Sequence, residues 1–229
     1  MAPALISYYD DRVGERAAVS AGELGDWAGA TAALLVEECR LGPGDRVAVL
    51  LSPHWQTAAV LLGAWSAGLE VSYQGWATAG LQPAGSFDAT FVAGSRVGSW
   101  LEDLPSGRHQ FVLGDTGAAK TTDDGYRSFA EAVRPYLGAR PAVPLPGADR
   151  AATTDGTTFG ALGAIAHGVA ERSGIGRGDR VLIDTATSEQ PVIWLLAPLL
   201  AGASIVLCAN LDRSILDTRV AEEQVTKVW

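Results

Sequence analysis

The feature that most constrains this chain is a stretch it carries twice. Residues 41–71 read LGPGDRVAVLLSPHWQTAAVLLGAWSAGLEV, and residues 175–206 read IGRGDRVLIDTATSEQPVIWLLAPLLAGASIV. Gly44 and Gly178 stand 134 positions apart, and the same offset carries Asp45 onto Asp179, Arg46 onto Arg180, Val47 onto Val181, Leu61 onto Leu195, Ala67 onto Ala201 and Gly68 onto Gly202. Each copy holds a glycine turn, an acidic and a basic residue, a short apolar run, a polar loop, an apolar helix closed by Ala-Gly, and a second apolar run. That order is a βαβ unit. Two of them predict an α/β fold of two similar doubly wound subdomains with mainly parallel sheets.

The rest of the chain fits that expectation. With 229 residues, 48% of them hydrophobic and 19% charged, it can bury a full core as one large or two small α/β domains. Its formal charge of −9, from 26 acidic against 17 basic residues, argues against nucleic acid or an anionic membrane as partner, because phosphate recognition needs clustered Lys and Arg. Cys39 and Cys208 fall one in each copy and read as buried thiols of a reduced, cytoplasmic chain. The amino terminus lacks the basic region and long apolar run of a secretory signal. The uncharged stretch 191–209 approaches the length of a bilayer span, but Pro198 and Gly202 break it, so a buried helix, turn and strand is expected there.

In chain order, residues 4–12 place Leu5, Tyr8 and Tyr9 at helical spacing and predict a short amphipathic helix. A longer helix is expected over 21–38, a strand over 47–51, a helix over 55–67 and a strand over 70–73. After a Pro- and Gly-bearing loop at 75–86, the pattern continues as strand 88–93, helix 97–104, strand 110–113 and helix 126–136. Residues 138–150, rich in proline and without periodicity, read as a linker. The expected division is therefore a first subdomain over 1–137 and a second, incomplete one over 151–229.

Few residues carry chemistry. His54 follows the strand 47–51, where open α/β sheets place ligands, and reads either as an acid/base or as the cap of the next helix. The loop 114–125 has Gly117, Lys120 and Thr121 at the wrong spacing for a Walker loop and reads as a surface turn. No G-x-G-x-x-G turn follows the strand 47–51, no G-x-S-x-G elbow occurs, and His54, His109, His167 and the two cysteines have no metal-ligand spacing. No catalytic or metal-binding residue is assigned. The one pointed stretch is Thr153-Thr154-Asp155-Gly156-Thr157-Thr158, just before a helix predicted over 159–173. Hydroxyls around a glycine at a helix amino terminus suit an oxyanion, and Thr and Asp are equally ordinary helix caps.

The doubled GDRV, the Ala67-Gly68 and Ala201-Gly202 helix ends, the FVLGDTG and YRSFAEAV segments, and APLLAGASIVL together resemble the amino-terminal domain of adenylate-forming enzymes, the acyl-CoA synthetase and AMP-binding ligase superfamily. The resemblance covers nearly all of this chain and about the first half of such an enzyme. It implies the same fold, two similar α/β subdomains, and a relation to enzymes that join ATP and a carboxylic acid into an acyl-adenylate before a thiol takes the acyl group. It also implies that Thr153, Thr154, Gly156, Thr157 and Thr158 correspond to a phosphate loop of the form [ST]-S-G-T-T-G-x-P-K-G, which would bind ATP or AMP.

That loop is degenerate. Phe159 stands in place of the next glycine, Pro-Lys-Gly is absent, and Asp155 would repel a phosphate. Residues 185–189, Thr-Ala-Thr-Ser-Glu, replace the turn that borders the family's acyl site, and its adenine, magnesium, ribose and catalytic-lysine elements have no counterpart. Losing one such electrostatic donor costs about 100-fold to 1,000-fold in rate. The expectation is a stand-alone, degenerate homologue that does not turn over alone and acts by binding a ligand or a protein. The alternatives are one half of a split ligase, or an interaction protein that forms a homodimer through apolar surface left uncovered.

Overall fold

The computed structural model describes residues 4–75, 86–97, 104–114, 125–139 and 144–229. The expected loops at 75–86 and 114–125, the helix at 97–104 and part of the linker at 138–150 fall largely outside these residues. Two compact units emerge, one of residues 25–52 and 59–159, here the first unit, and one of residues 1–24, 53–58 and 160–229, the second.

The repeat is visible bond by bond. Strand β3 (Arg46–Leu50) and strand β8 (Arg180–Asp184) are related by the same offset at both ends. Before β3, Gly44 N–H donates to Gly68 O (3.2 Å) and Asp45 Oδ2 accepts from Gly42 N–H (2.8 Å); before β8, Gly178 N–H donates to Gly202 O (3.1 Å) and Asp179 Oδ2 accepts from Gly176 N–H (2.8 Å). Gly44 and Gly178 both adopt positive φ, +97° and +85°, which a side chain would strain. The Gly-Asp-Arg-Val motif is thus a turn that ties the start of one strand to the end of the helix packed above it.

In the first unit the sheet order is β4-β3-β5-β6-β7, with β4 (Glu70–Tyr73), β5 (Phe87–Ala93), β6 (Gly107–Leu113) and β7 (Arg127–Ser128) all parallel to their neighbours. Helix α1 (Ala21–Ala33), continued by a π-helical turn over Leu34–Glu38, opens on a capping box in which Ser20 and Glu23 bond reciprocally. Helix α2 (Trp55–Ser66) approaches α1 closely because Gly63 has no side chain. A Cβ there would lie 2.6 Å from Thr31 Cβ and 2.7 Å from Ala28 O. Phe91 of β5 stacks on Phe111 of β6 (5.0 Å) and meets Phe129 edge-on (5.7 Å), and such ring pairs add about 0.5–1.5 kcal/mol each beyond burial. Phe129 opens α3 (Phe129–Val133), so the helix expected from residue 126 starts later, with Ser128 as its cap and Arg127–Ser128 spent on the sheet.

The second unit has the order β10-β8-β9-β1-β2 and is parallel except at one edge. There β1 (Ile6–Asp10) pairs antiparallel with β2 (Glu15–Val19) and parallel with β9 (Ser204–Ala209). The helix expected over 4–12 is therefore a strand. Leu5, Tyr8 and Tyr9 fit a helical spacing, but pairing with β2 and β9 overrides it, and the strand puts Ile6 and Tyr8 on one side of the sheet, Ser7 and Tyr9 on the other. Gly14, at φ +72°, closes the hairpin with its N–H on Asp10 O (2.8 Å). Because this hairpin completes the sheet built from the carboxyl-terminal residues, the compact units do not follow the contiguous division at 138–150. Helix α4 (Phe159–Arg172), helix α5 (Ala197–Ala201) and helix α6 (Leu216–Glu222) complete the unit, with β10 (Lys227–Val228) parallel to β8.

Candidate functional site

The threonine-rich stretch is a tight hairpin held beside β4. Thr153 bridges Val71 in parallel and Ala151 bridges Thr158 antiparallel, while Trp65 Nε1–H donates to Ala152 O (3.0 Å). Asp155 stands at its centre. Its Oδ1 accepts from Thr153 Oγ1 (2.5 Å), Thr157 Oγ1 (2.8 Å) and Thr157 N–H (3.0 Å), and Gly156 N–H donates to Thr153 O (3.0 Å). These bonds, led by the Thr153 hydroxyl, hold the Asp155 carboxyl below the usual carboxylate range. Thr154 N–H turns to Val71 O (3.3 Å), and the first amide of α4, Phe159 N–H, donates to Arg150 O (2.9 Å). Asp155 caps its own loop and not the helix.

A phosphate loop must present unspent hydroxyls and N–H groups to an anion. Here Thr153, Gly156 and Thr157 point their donors at a carboxylate or a carbonyl. This donor set does not fit a triphosphate.

The carboxyl edge of the second unit's sheet is the other place where this architecture holds ligands. It is lined by acids already committed to loops. Asp10 Oδ1 accepts from Arg12 N–H (2.9 Å) and Asn210 Nδ2 (2.9 Å), and Asp184 accepts from Ala186 N–H (3.1 Å) and Arg213 (3.3 Å). The segment 185–189 is shaped by this aspartate, with Thr187 Oγ1 donating back to Asp184 O (3.0 Å).

Beneath that edge, α6 is clamped to the sheet by two ion pairs. Arg219, buried at 4% exposure, forks onto both oxygens of Asp11 (2.8 and 3.0 Å) and lies 4.2 Å from the Tyr9 ring centre. One turn on, Glu223 accepts from Arg180, Tyr9 and Ser7. Burial pushes Glu223 up, but bonds from Tyr9 and Arg180 outweigh it and hold the carboxyl low; burial and the same bond push the Tyr9 hydroxyl up to about 12. The Arg219 hydrogen bond likewise holds Asp11 low. The i,i+4 spacing of Arg219 and Glu223 was the available sequence signal for this clamp, and it went unread because its partners lie on β1 and β8.

His54 meets both of its expected readings halfway. Its Nδ1 accepts from Gln56 N–H (3.2 Å) at the start of α2, which makes it a cap, and its Nε2 lies 3.5 Å from Glu15 Oε1, a carboxylate the sequence did not suggest. The His54 contact, ahead of the opposing effect of burial, holds Glu15 below the usual range. Tyr8 packs edge-on against the imidazole at 4.3 Å. With both ring nitrogens engaged, His54 fixes a loop. A second residue passed over in the sequence is Arg96, fully buried after β5, whose Nη1 donates to Gln74 O (2.7 Å). Among the described residues no group of three or more His, Cys, Asp or Glu side chains could hold a metal ion, and no helix is long and apolar enough to cross a membrane.

The architecture is that of the amino-terminal domain of acyl-CoA synthetases. The N-terminal domain of FACL13 from Mycobacterium tuberculosis superposes with a TM-score of 0.70 at 16% identity, over 97% of this chain and 57% of that one. Acetoacetyl-CoA synthetase from Streptomyces lividans gives 0.70 at 19% identity over 99% of this chain and 40% of that one. An amide bond synthetase from Marinactinospora thermotolerans gives 0.64 at 19% identity over 100% of this chain and 46% of that one. At such identities the likeness establishes the fold, and the chain spans about half the length of these structures. No family model matches the chain. In sequence it is 36% identical over 231 residues to a TIGR03089 family protein of Mycobacterium tuberculosis, spanning 97% of this chain and 90% of that relative. The chain belongs to the TIGR03089 family.

Proposed function

We propose that this protein is a non-catalytic member of the adenylate-forming fold that works by binding a partner protein and does not itself form an acyl-adenylate. The observation that carries the reading is Asp155 at the hub of the threonine-rich hairpin, where it takes up the donors that a phosphate would need. A negative charge within reach of those hydroxyls repels a polyphosphate as well as competing with it. Pyrophosphate release from the pure chain with ATP, magnesium and a panel of fatty and aromatic acids tests this directly. No turnover is expected, and any sustained turnover overturns the reading. ATP and AMP should also leave the melting temperature unchanged, since a ligand that binds only the folded state raises it by mass action.

A second reading is favoured by the likeness in fold to solved synthetases and to an amide bond synthetase, at TM-scores of 0.64–0.70. In it the chain is one half of a split ATP-dependent acyl ligase, and activity appears on mixing with a separate chain that carries the remaining elements. Activity of the mixture, with none in either chain alone, distinguishes it from the first.

A further inference from the structure

We propose that His54 is a pH-sensitive cap: neutral, it holds the first turn of α2, and protonated, it releases that turn while staying fixed to β2. A helix cap must accept a hydrogen bond from an amide of the first turn, and the residues that ordinarily do so, Ser, Thr, Asp and Asn, offer an oxygen. Here the acceptor is a ring nitrogen. His54 O accepts from Ala58 N–H (3.0 Å) and its Nδ1 accepts from Gln56 N–H (3.2 Å), the two bonds of a capping residue. An imidazole nitrogen accepts only while it carries no proton, so this bond requires the neutral ring with its proton on Nε2. The repeat supplies the contrast. The offset of 134 that carries Gly44 onto Gly178 also carries Gln56 onto Gln190 and His54 onto Ser188, a residue of the ordinary capping type whose hydroxyl does not titrate.

The surroundings decide what protonation does. Nε2 faces Glu15 Oε1 of β2 at 3.5 Å, the Tyr8 ring of β1 packs edge-on at 4.3 Å, and Trp55 of the helix itself lies at 5.6 Å between ring centres. His54, Gln56, Tyr8 and Glu15 all belong to the second unit. The His54 side chain is only 18% exposed, so water does not readily replace the bonds it gives up. A proton added at Nδ1 sets one N–H against another, removes the acceptor of Gln56 N–H and puts a positive charge at the positive end of the α2 dipole. The same proton strengthens the contact with the Glu15 carboxylate. The ring is therefore expelled from α2 and pulled to β2 by one event. Its neighbours do not blur the switch between pH 5 and 8, the range in which imidazoles change charge. Burial pushes the Tyr8 hydroxyl up and the His54 contact holds the Glu15 carboxyl low, so the first stays neutral and the second stays ionised. The other charged groups of the hairpin that act on this pair are Asp10, on both, and Arg12, on Tyr8.

The test reads the amide that the cap holds. In the full chain, protection of the Gln56 amide from exchange, taken relative to an unstructured peptide at each pH, is expected to fall about fivefold from pH 8 to pH 5, in step with the charge of the His54 ring followed by NMR. Protection at Leu207, buried in the middle of β9, should stay constant over the same range. His54→Asn keeps a cap acceptor that carries no charge, and Gln56 protection should then be equal at both pH values; His54→Ser serves if the Asn chain does not fold. Flat protection at Gln56 in the unaltered chain overturns the proposal. So does a step that persists in the Asn or Ser variant, or one whose midpoint differs from that of the His54 ring. An equal fall at Leu207 marks a loss of global stability and overturns a local release.

Discussion

The two copies of the repeat share their turns and differ in their helices. In the first, α2 runs unbroken for twelve residues and carries Ala58, Ala59, Gly63 and Ala64, with Gly63 letting α1 press against its backbone. In the second, the equivalent positions are Val192, Ile193, Ala197 and Pro198, and the segment begins as a π-helix over Val192–Leu196 before α5. Pro198 has no N–H to give to the preceding turn, and Ala197 N–H reaches back to Val192 O instead, one residue beyond α-helical reach. Trp194 replaces Val60, is fully buried, and its indole N–H is the one buried side-chain polar group without a hydrogen-bond partner among the described residues. The turn is what duplication preserved, and the packing above it is what diverged. A motif that closes a backbone tolerates little change, whereas an apolar interface accepts any set of volumes that fills it.

The comparison can be broken hardest at the α6 clamp, which belongs to the second unit. Replacing Arg219 by Ala leaves the Asp11 carboxylate buried without its partner, and a loss of about 3–5 kcal/mol is expected in urea denaturation. In the first unit the exposed Arg127–Glu38 pair (2.5 Å) is the contrast: Arg127→Ala should cost about 0–1 kcal/mol.

Acid should weaken the same clamp. Asp11 and Glu223 are held below their ordinary values, so the stability they contribute is complete above about pH 4, where the unfolded carboxyls are ionised, and is lost as pH falls through their lower folded values. A fall in melting temperature over that window, absent when Asp11 and Glu223 are replaced by Asn and Gln, checks the assignment.

Gly63→Ala sharpens the helix comparison. The added Cβ meets Ala28 O at 2.7 Å, and a loss of about 1–3 kcal/mol is expected, while Ala197→Gly at the matching position should cost about 1–2 kcal/mol through helix propensity and the loss of a buried methyl. The turns set the two copies side by side most directly. Gly44→Ala and Gly178→Ala each force a side chain into positive φ, and the two should cost the same, about 1 kcal/mol. Unequal losses would show that the paired turns are not equivalent.

How much of this was legible in the sequence follows from the range of each interaction. The βαβ order, the turn at Asp45 and Asp179 and the parallel sheets were readable, because an ungapped repeat carries its own internal check. The strand Ile6–Asp10 was not, since Leu5, Tyr8 and Tyr9 satisfy a helical spacing and only pairing with β2 and β9 overrides it. Asp155 was recognised as a misfit beside phosphates, yet its part as acceptor for Thr153 and Thr157 depends on a turn closed by Gly156, which no spacing rule supplies. The pairing of His54 with Glu15 spans 39 positions and two elements and left no trace in either local pattern.

The β1–β2 hairpin has a temporal consequence. Ile6 pairs with Val19 almost as soon as it is made, but its other neighbour is Ile205. At about 5–20 residues per second of synthesis, roughly 10–40 s pass between the emergence of the two. For that interval the β1–β2 hairpin waits with one backbone edge unpaired, and the sheet it belongs to closes only when β9 arrives.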